Sequence, residues 1–228
     1  MEAATLHPCR VNLPADYDRA QEYPLVVGLH GFGGNADMFS TLWYAFDRPE
    51  FIYATPQAPY ILPEFSGFGY SWLAPEGASI ETQLRMRQLT LDYVQGVVDE
   101  LKSRHRVSEV YVLGFSQGCA IAYALAFSRA GEYAGVTCFA GPFPQGWLNG
   151  EHLEAARAAG LRVFIAQGTE DAPDIIGMSQ DARELLTAQG LAVEYVEFPA
   201  GHTLPREMLR QAQKWMLQPH QPFSGRIE

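Results

Sequence analysis

Apolar residues in this chain fall into two kinds of segment, which alternate along most of its length. Near-continuous runs of Val, Leu, Ile and aromatic residues lie at 25–30, 51–54, 110–114, 135–140, 162–167 and 193–198. Runs unbroken by polar positions are what strands covered on both faces require. A stretch at 6–13 predicts an added edge strand. Between these runs the spacing becomes helical. Over 80–104, Leu84, Leu91, Val94, Val98 and Leu101 form one stripe, with Ser79 placed to cap it and Glu81 in its first turn. An alanine-rich run occupies 119–127. Residues 178–189 carry Met178, Ala182, Leu185 and Leu186 and stop at Gly190. Residues 205–217 open on Pro205 and carry Met208, Leu209, Ala212, Trp215 and Met216. This alternation predicts an α/β domain, one unit over 1–228, with a mainly parallel central sheet and helices on both faces.

The segment 56–79 breaks the rhythm. It holds Pro56, Pro59, Pro63 and Pro75 among Tyr60, Phe65, Phe68, Tyr70 and Trp72. Prolines at this density predict an irregular insertion. Its aromatics suit the lid or wall of an apolar substrate pocket, with Phe68, Tyr70 and Trp72 as lining. They equally suit a loop pinned to the core. The tail 218–228, with two prolines, is expected to be loose.

Composition narrows the class. The 228 residues are 47% hydrophobic and 18% charged, enough for a sizeable core. With 16 basic and 26 acidic residues the net charge is −10, which repels nucleic-acid phosphates and anionic lipid. No apolar run approaches bilayer-spanning length, and the N-terminus lacks a basic region followed by an apolar segment. Three widely spaced cysteines imply no disulfide framework, so a cytoplasmic setting is expected, with Cys119 and Cys138 as buried packing residues. The six histidines form no metal-ligating group, and no metal or cofactor is expected.

Candidate chemistry centres on Gly114-Phe115-Ser116-Gln117-Gly118, between a strand-like and a helical run. By composition alone such a pentapeptide arises in about one chain in ten of this length, so its context carries the signal. A serine between glycines at a strand-to-helix turn is the nucleophile elbow of α/β-hydrolases, and it aims the hydroxyl at a helix N-terminus. A serine needs a base, and the base an orienting acid. His202, in a Gly-flanked loop after the last strand, is the candidate base. Asp171, after strand 162–167, is the candidate acid, with Asp174 and then Glu170 as competitors. The oxyanion donors are expected to be the backbone N–H groups of Gln117 and of Phe32, within His30-Gly31-Phe32-Gly33-Gly34. His30 is expected to hold that loop in shape. Gly31-Phe32-Gly33-Gly34-Asn35-Ala36 also fits a relaxed dinucleotide fingerprint, but no carboxylate ends the next strand to hold a ribose.

With these residues in order, the chain resembles the phospholipase/carboxylesterase family of α/β-hydrolases, which includes acyl-protein thioesterases. The resemblance covers roughly 24–217. It rests on Leu29-His30-Gly31, Pro56-Gln57-Ala58-Pro59, Ser71-Trp72, the Ser116 elbow with its glutamine, Gly168-x-x-Asp171 and Gly201-His202. It implies an α/β-hydrolase fold and a cofactor-independent serine hydrolase acting on a small-molecule ester or thioester with an apolar acyl group. In that case Ser116 is the nucleophile, Asp171 the acid, His202 the base, and Phe32 and Gln117 the oxyanion donors. The chain departs from the family pattern at Cys119, at Ala172-Pro173 and at Leu73-Ala74, and the last two departures bear on substrate identity. Acyl transfer to an alcohol, or ligand binding without catalysis, would use the same fold. Oligomeric state, a homodimer included, is left open by the sequence.

Overall fold

The alternating runs build a seven-stranded sheet flanked by helices, seen here in a computed structural model that describes residues 7–65 and 68–218. Strands β1 (Cys9–Asn12), β2 (Tyr23–Leu29), β3 (Ile52–Pro56), β6 (Val107–Phe115), β7 (Gly135–Phe139), β8 (Arg162–Gly168) and β9 (Ala192–Phe198) lie in the order β1-β3-β2-β6-β7-β8-β9. β1 pairs antiparallel with β3, and every other pairing in the sheet is parallel. The carboxyl ends of β2, β6, β8 and β9 therefore share one edge, where ligands of open α/β sheets gather.

The strands alternate their side chains between two apolar layers, as the pleat dictates. On one face Leu25, Val27, Val112, Val136 and Ile165 pack against helices α2 (Ile80–Arg104), α3 (Gln117–Ser128), α4 (Gly150–Ala158) and α5 (Pro173–Ala188). On the other, Val26, Tyr53, Tyr111, Phe139 and Phe164 meet α1 (Ala36–Ser40) and α6 (Arg206–Leu217). α3 is buried from Gly118 to Phe127, which is why its sequence is apolar all round. α2 is capped by Ser79, whose side chain accepts the Thr82 N–H, with Glu81 in its first turn as expected.

Several expectations need correction. The segment 56–79 is not structureless: it carries a hairpin, β4 (Tyr60–Leu62) with β5 (Gly69–Ser71), around a 3-10 turn at Pro63–Phe65. Three-residue strands between prolines give no periodicity to read. α5 starts at Pro173 rather than 178, with proline in the first turn where its missing N–H costs nothing. The helices α1 and α4 were not legible, being five and nine residues long. Leu6 and residues 219–228, on which the edge-strand and loose-tail expectations partly fall, lie outside the described residues.

Candidate active site

Ser116 joins β6 to α3 with φ 52° and ψ −120°, a conformation rarely adopted by a residue with a side chain. Neighbouring backbone holds it there. Its N–H donates to the Phe139 carbonyl at 2.9 Å, and its carbonyl accepts from Cys119 N–H at 3.0 Å. Gly118 is needed because α3 crosses β2 closely: a Cβ there would stand 2.2 Å from the Leu29 carbonyl oxygen. Ser116 thereby sits at the N-cap of α3, where first-turn amides favour negative charge.

After β8 and β9 the chain places an acid beside a base. His202 Nδ1 lies 2.8 Å from Asp171 Oδ2. Asp171 is the acid that the structure pairs with His202; Asp174 lies exposed in the first turn of α5 and Glu170 is exposed. The Asp171 side chain is only 3% exposed. Its carboxylate is satisfied by the Ala172 N–H to Oδ1 (2.7 Å) and by Gln167 Nε2 to Oδ2 (3.2 Å). Gln167 is itself fixed by the buried Ser179 hydroxyl, which donates to its Oε1 at 2.6 Å. Both carboxylate oxygens are thus hydrogen-bonded, with His202 Nδ1 against Oδ2. The His202 ring packs on Phe115, centroids 4.8 Å apart, which brings the pair alongside the residue preceding Ser116.

The loop after β2 is braced from two sides. His30 is buried; its Nδ1 donates to the Gly31 carbonyl (2.8 Å), and its Nε2 accepts from the Ala58 N–H (3.3 Å). Burial pushes its pKa down to about 4, so the imidazole is neutral at pH 7. The hairpin adds a second brace, with Gly33 N–H to the Tyr70 carbonyl and Tyr70 N–H to the Gly34 carbonyl, each 3.0 Å. The Phe32 side chain points outward, 53% exposed, edge-on to Phe65.

Trp72 departs from its expected place in an aromatic pocket wall. Trp72 does not line an open pocket: it is fully buried, and its indole N–H donates to the His30 carbonyl at 2.7 Å. Its backbone N–H donates to Gln117 Oε1 at 2.8 Å, so the side chain of Gln117 ties the elbow to the hairpin. Tyr70 is half-buried against the core, whereas Phe68 is 75% exposed. Gln167 and Ser179 escaped the sequence reading; the available signal was a glutamine ending an otherwise apolar strand. No cluster of metal-ligating side chains occurs among the described residues, and no helix among them is long and apolar enough to cross a membrane.

The sequence profile of the phospholipase/carboxylesterase family matches residues 16–219. The Aspergillus niger protein named "Probable feruloyl esterase C" is 28% identical over 138 residues, 58% of this chain and 45% of that protein. The chain thus spans less than half the length of this curated relative. Among solved structures, Zea mays acyl-protein thioesterase 2 superposes with a TM-score of 0.73 at 21% identity, covering 92% of this chain and 98% of that one. The Bacillus cereus carboxylesterase gives 0.68 at 21% identity, covering 92% and 93%. These two likenesses speak for the α/β-hydrolase fold alone. With the profile spanning nearly the whole length, the chain belongs to the phospholipase/carboxylesterase family.

Proposed function

We propose that this protein is a serine hydrolase that cleaves carboxylic esters or thioesters with an apolar acyl group through an acyl-enzyme. The observation that carries the reading is the Asp171–His202 hydrogen bond, held against Phe115 beside the strained Ser116 elbow. In this reading His202 Nε2 takes the Ser116 proton as Oγ attacks the ester carbonyl. Asp171 accepts the Nδ1–H bond, fixes the tautomer and stabilises the imidazolium. The backbone N–H groups of Phe32 and Gln117 receive the oxyanion, each worth about 3 kcal/mol in the transition state. His202 then returns the proton to the leaving alcohol or thiol, and a water deprotonated by the same imidazole releases the acid. The His202 side chain is 37% exposed, so water reaches it without a lid having to open.

The test is Ser116→Ala with p-nitrophenyl butyrate. Turnover should fall by at least about a thousandfold while the thermal midpoint holds, because a nucleophile removed from a triad leaves only oxyanion and binding contributions. A fluorophosphonate should add one phosphonyl group to the wild-type chain, read by intact mass. The same reagent should leave Ser116→Ala unlabelled and His202→Ala nearly so. Wild-type turnover by purified Ser116→Ala overturns the assignment.

A further inference from the structure

A cleft of about 260 Å³ lies between the loop after β5, the start of α2 and the loop after β7. Leu73, Pro75, Ile80, Leu84 and Trp147 give it an apolar lining, and Arg87 is the cation within it. Both of its loop walls are tied to the elbow. Ser71 and Trp72, which lead into Leu73, are hydrogen-bonded to the side chain of Gln117. The loop that carries Trp147 leaves β7 through Gly141, packed so tightly on Ser116 that a Cβ would stand 2.3 Å from the Ser116 carbonyl oxygen. The elbow thus fixes both loops that wall the cleft, and the cleft's volume suits a short segment rather than a drug-sized ligand.

Arg87 has an unusual setting. Its guanidinium lies over the Trp147 ring, 4.7 Å from the centroid, and among the described residues it has no ion-pair partner. Glu76, the carboxylate on the same cleft, is exposed and forms no bridge with it. Burial destabilises the Arg87 charge, and no carboxylate offsets the effect. A planar guanidinium seated on an aromatic face offers paired N–H groups suited to two-point recognition of an oxyanion. A partly desolvated cation binds an anion more strongly than a fully exposed one does.

We propose that this cleft is the acyl subsite and that Arg87 reads a carboxylate at the far end of a short apolar acyl chain, which makes half-esters of short dicarboxylic acids the preferred substrate class. The proposal rests on the esterase reading above. The acidic surface, at net −10, opposes anions at long range. The preference therefore arises after docking, where a terminal methyl would leave the guanidinium unpaired.

The experiment compares ethyl hexanoate with monoethyl adipate, in which a carboxylate replaces the terminal methyl, by titrating the acid released. The readout is the ratio of kcat/KM for adipate to that for hexanoate. This ratio is insensitive to how much of a variant folds. Arg87→Met should lower it at least tenfold, chiefly through KM, and Arg87→Lys should restore part of it. An unchanged ratio in Arg87→Met overturns the proposal. Calorimetry supplies a second arm: monoethyl adipate should bind Ser116→Ala protein and should lose that binding when Arg87→Met is added. Binding that persists in the double variant also overturns it. If neither ester is hydrolysed, the esterase reading falls on its own while the binding arm still decides Arg87.

Discussion

His30 shows what a single buried titratable side chain does for this site. It is 1% exposed, wedged between the Gly31 carbonyl and the Ala58 N–H, with its own carbonyl held by the Trp72 indole. In the folded chain it resists protonation until about pH 4, against an ordinary value of 6.5. The sign follows from proton counting: between those values the unfolded chain binds more protons at this site, so stability drops as pH falls through the window. The contribution lost is about 3 kcal/mol, at 1.36 kcal/mol per unit. Urea unfolding of wild type and His30→Gln at pH 7, 6, 5 and 4 isolates it, because other titrating groups cancel in the difference. The wild-type advantage should shrink by about that amount on acidification. A difference that stays flat from pH 7 to 4 would show that His30 is not buried in neutral form. The histidine itself was legible, since it ends a strand before a glycine-rich loop. Its partners were not: the indole that holds it comes from Trp72, whose place in a proline-rich, aromatic stretch reads from sequence as pocket wall.

At the scale of elements, the site is a set of connections fixed by close backbone approach. Where α3 crosses β2, only a hydrogen fits at position 118, and the obstacle is a main-chain carbonyl that cannot rotate away. Gly118→Ala should therefore destabilise the fold by about 3 kcal/mol, at the upper end of overpacking costs. Gly96 in the middle of α2 is the matched control: nothing lies within 4 Å of its absent Cβ. Gly96→Ala should stabilise by about 1 kcal/mol through helix propensity. Thermal midpoints moving in opposite directions would support this account, and equal shifts would refute it. Element type was readable wherever a segment was long enough for its period to repeat, as in α2, α6 and the buried strands. The β4–β5 hairpin was not, because what defines it is pairing across a turn and hydrogen bonds to the distant Gly33-Gly34 loop. The sequence prefers Asp171 to Asp174 but does not supply the geometric reason. Both follow β8 closely, and only the turn into α5 sends one inward and leaves the other on the helix surface.

Across the whole molecule, the parallel sheet brings together residues far apart in the chain. Ser116 leaves β6, Asp171 follows β8 and His202 follows β9, and the order β6-β7-β8-β9 sets all three loops on one edge. The arginine bridges to Glu22, Asp92 and Glu184 lie at the surface, with both partners substantially exposed, so they contribute little to holding this geometry. The sheet and its two apolar layers hold it instead. If these residues act as one unit, their removal cannot be additive. Ser116→Ala and His202→Ala should each lower kcat/KM for p-nitrophenyl butyrate to nearly the same floor, and the double variant should lie on that floor too. Asp171→Asn should fall by about ten-thousandfold, because an amide in place of Oδ2 turns a donor toward Nδ1 and selects the wrong imidazole tautomer. Independent sites would instead multiply, placing the double variant below either single one by the full second factor. Multiplicative losses would mean that residues 116 and 202 do not share a proton, and the proposed reaction would fail even with the fold intact.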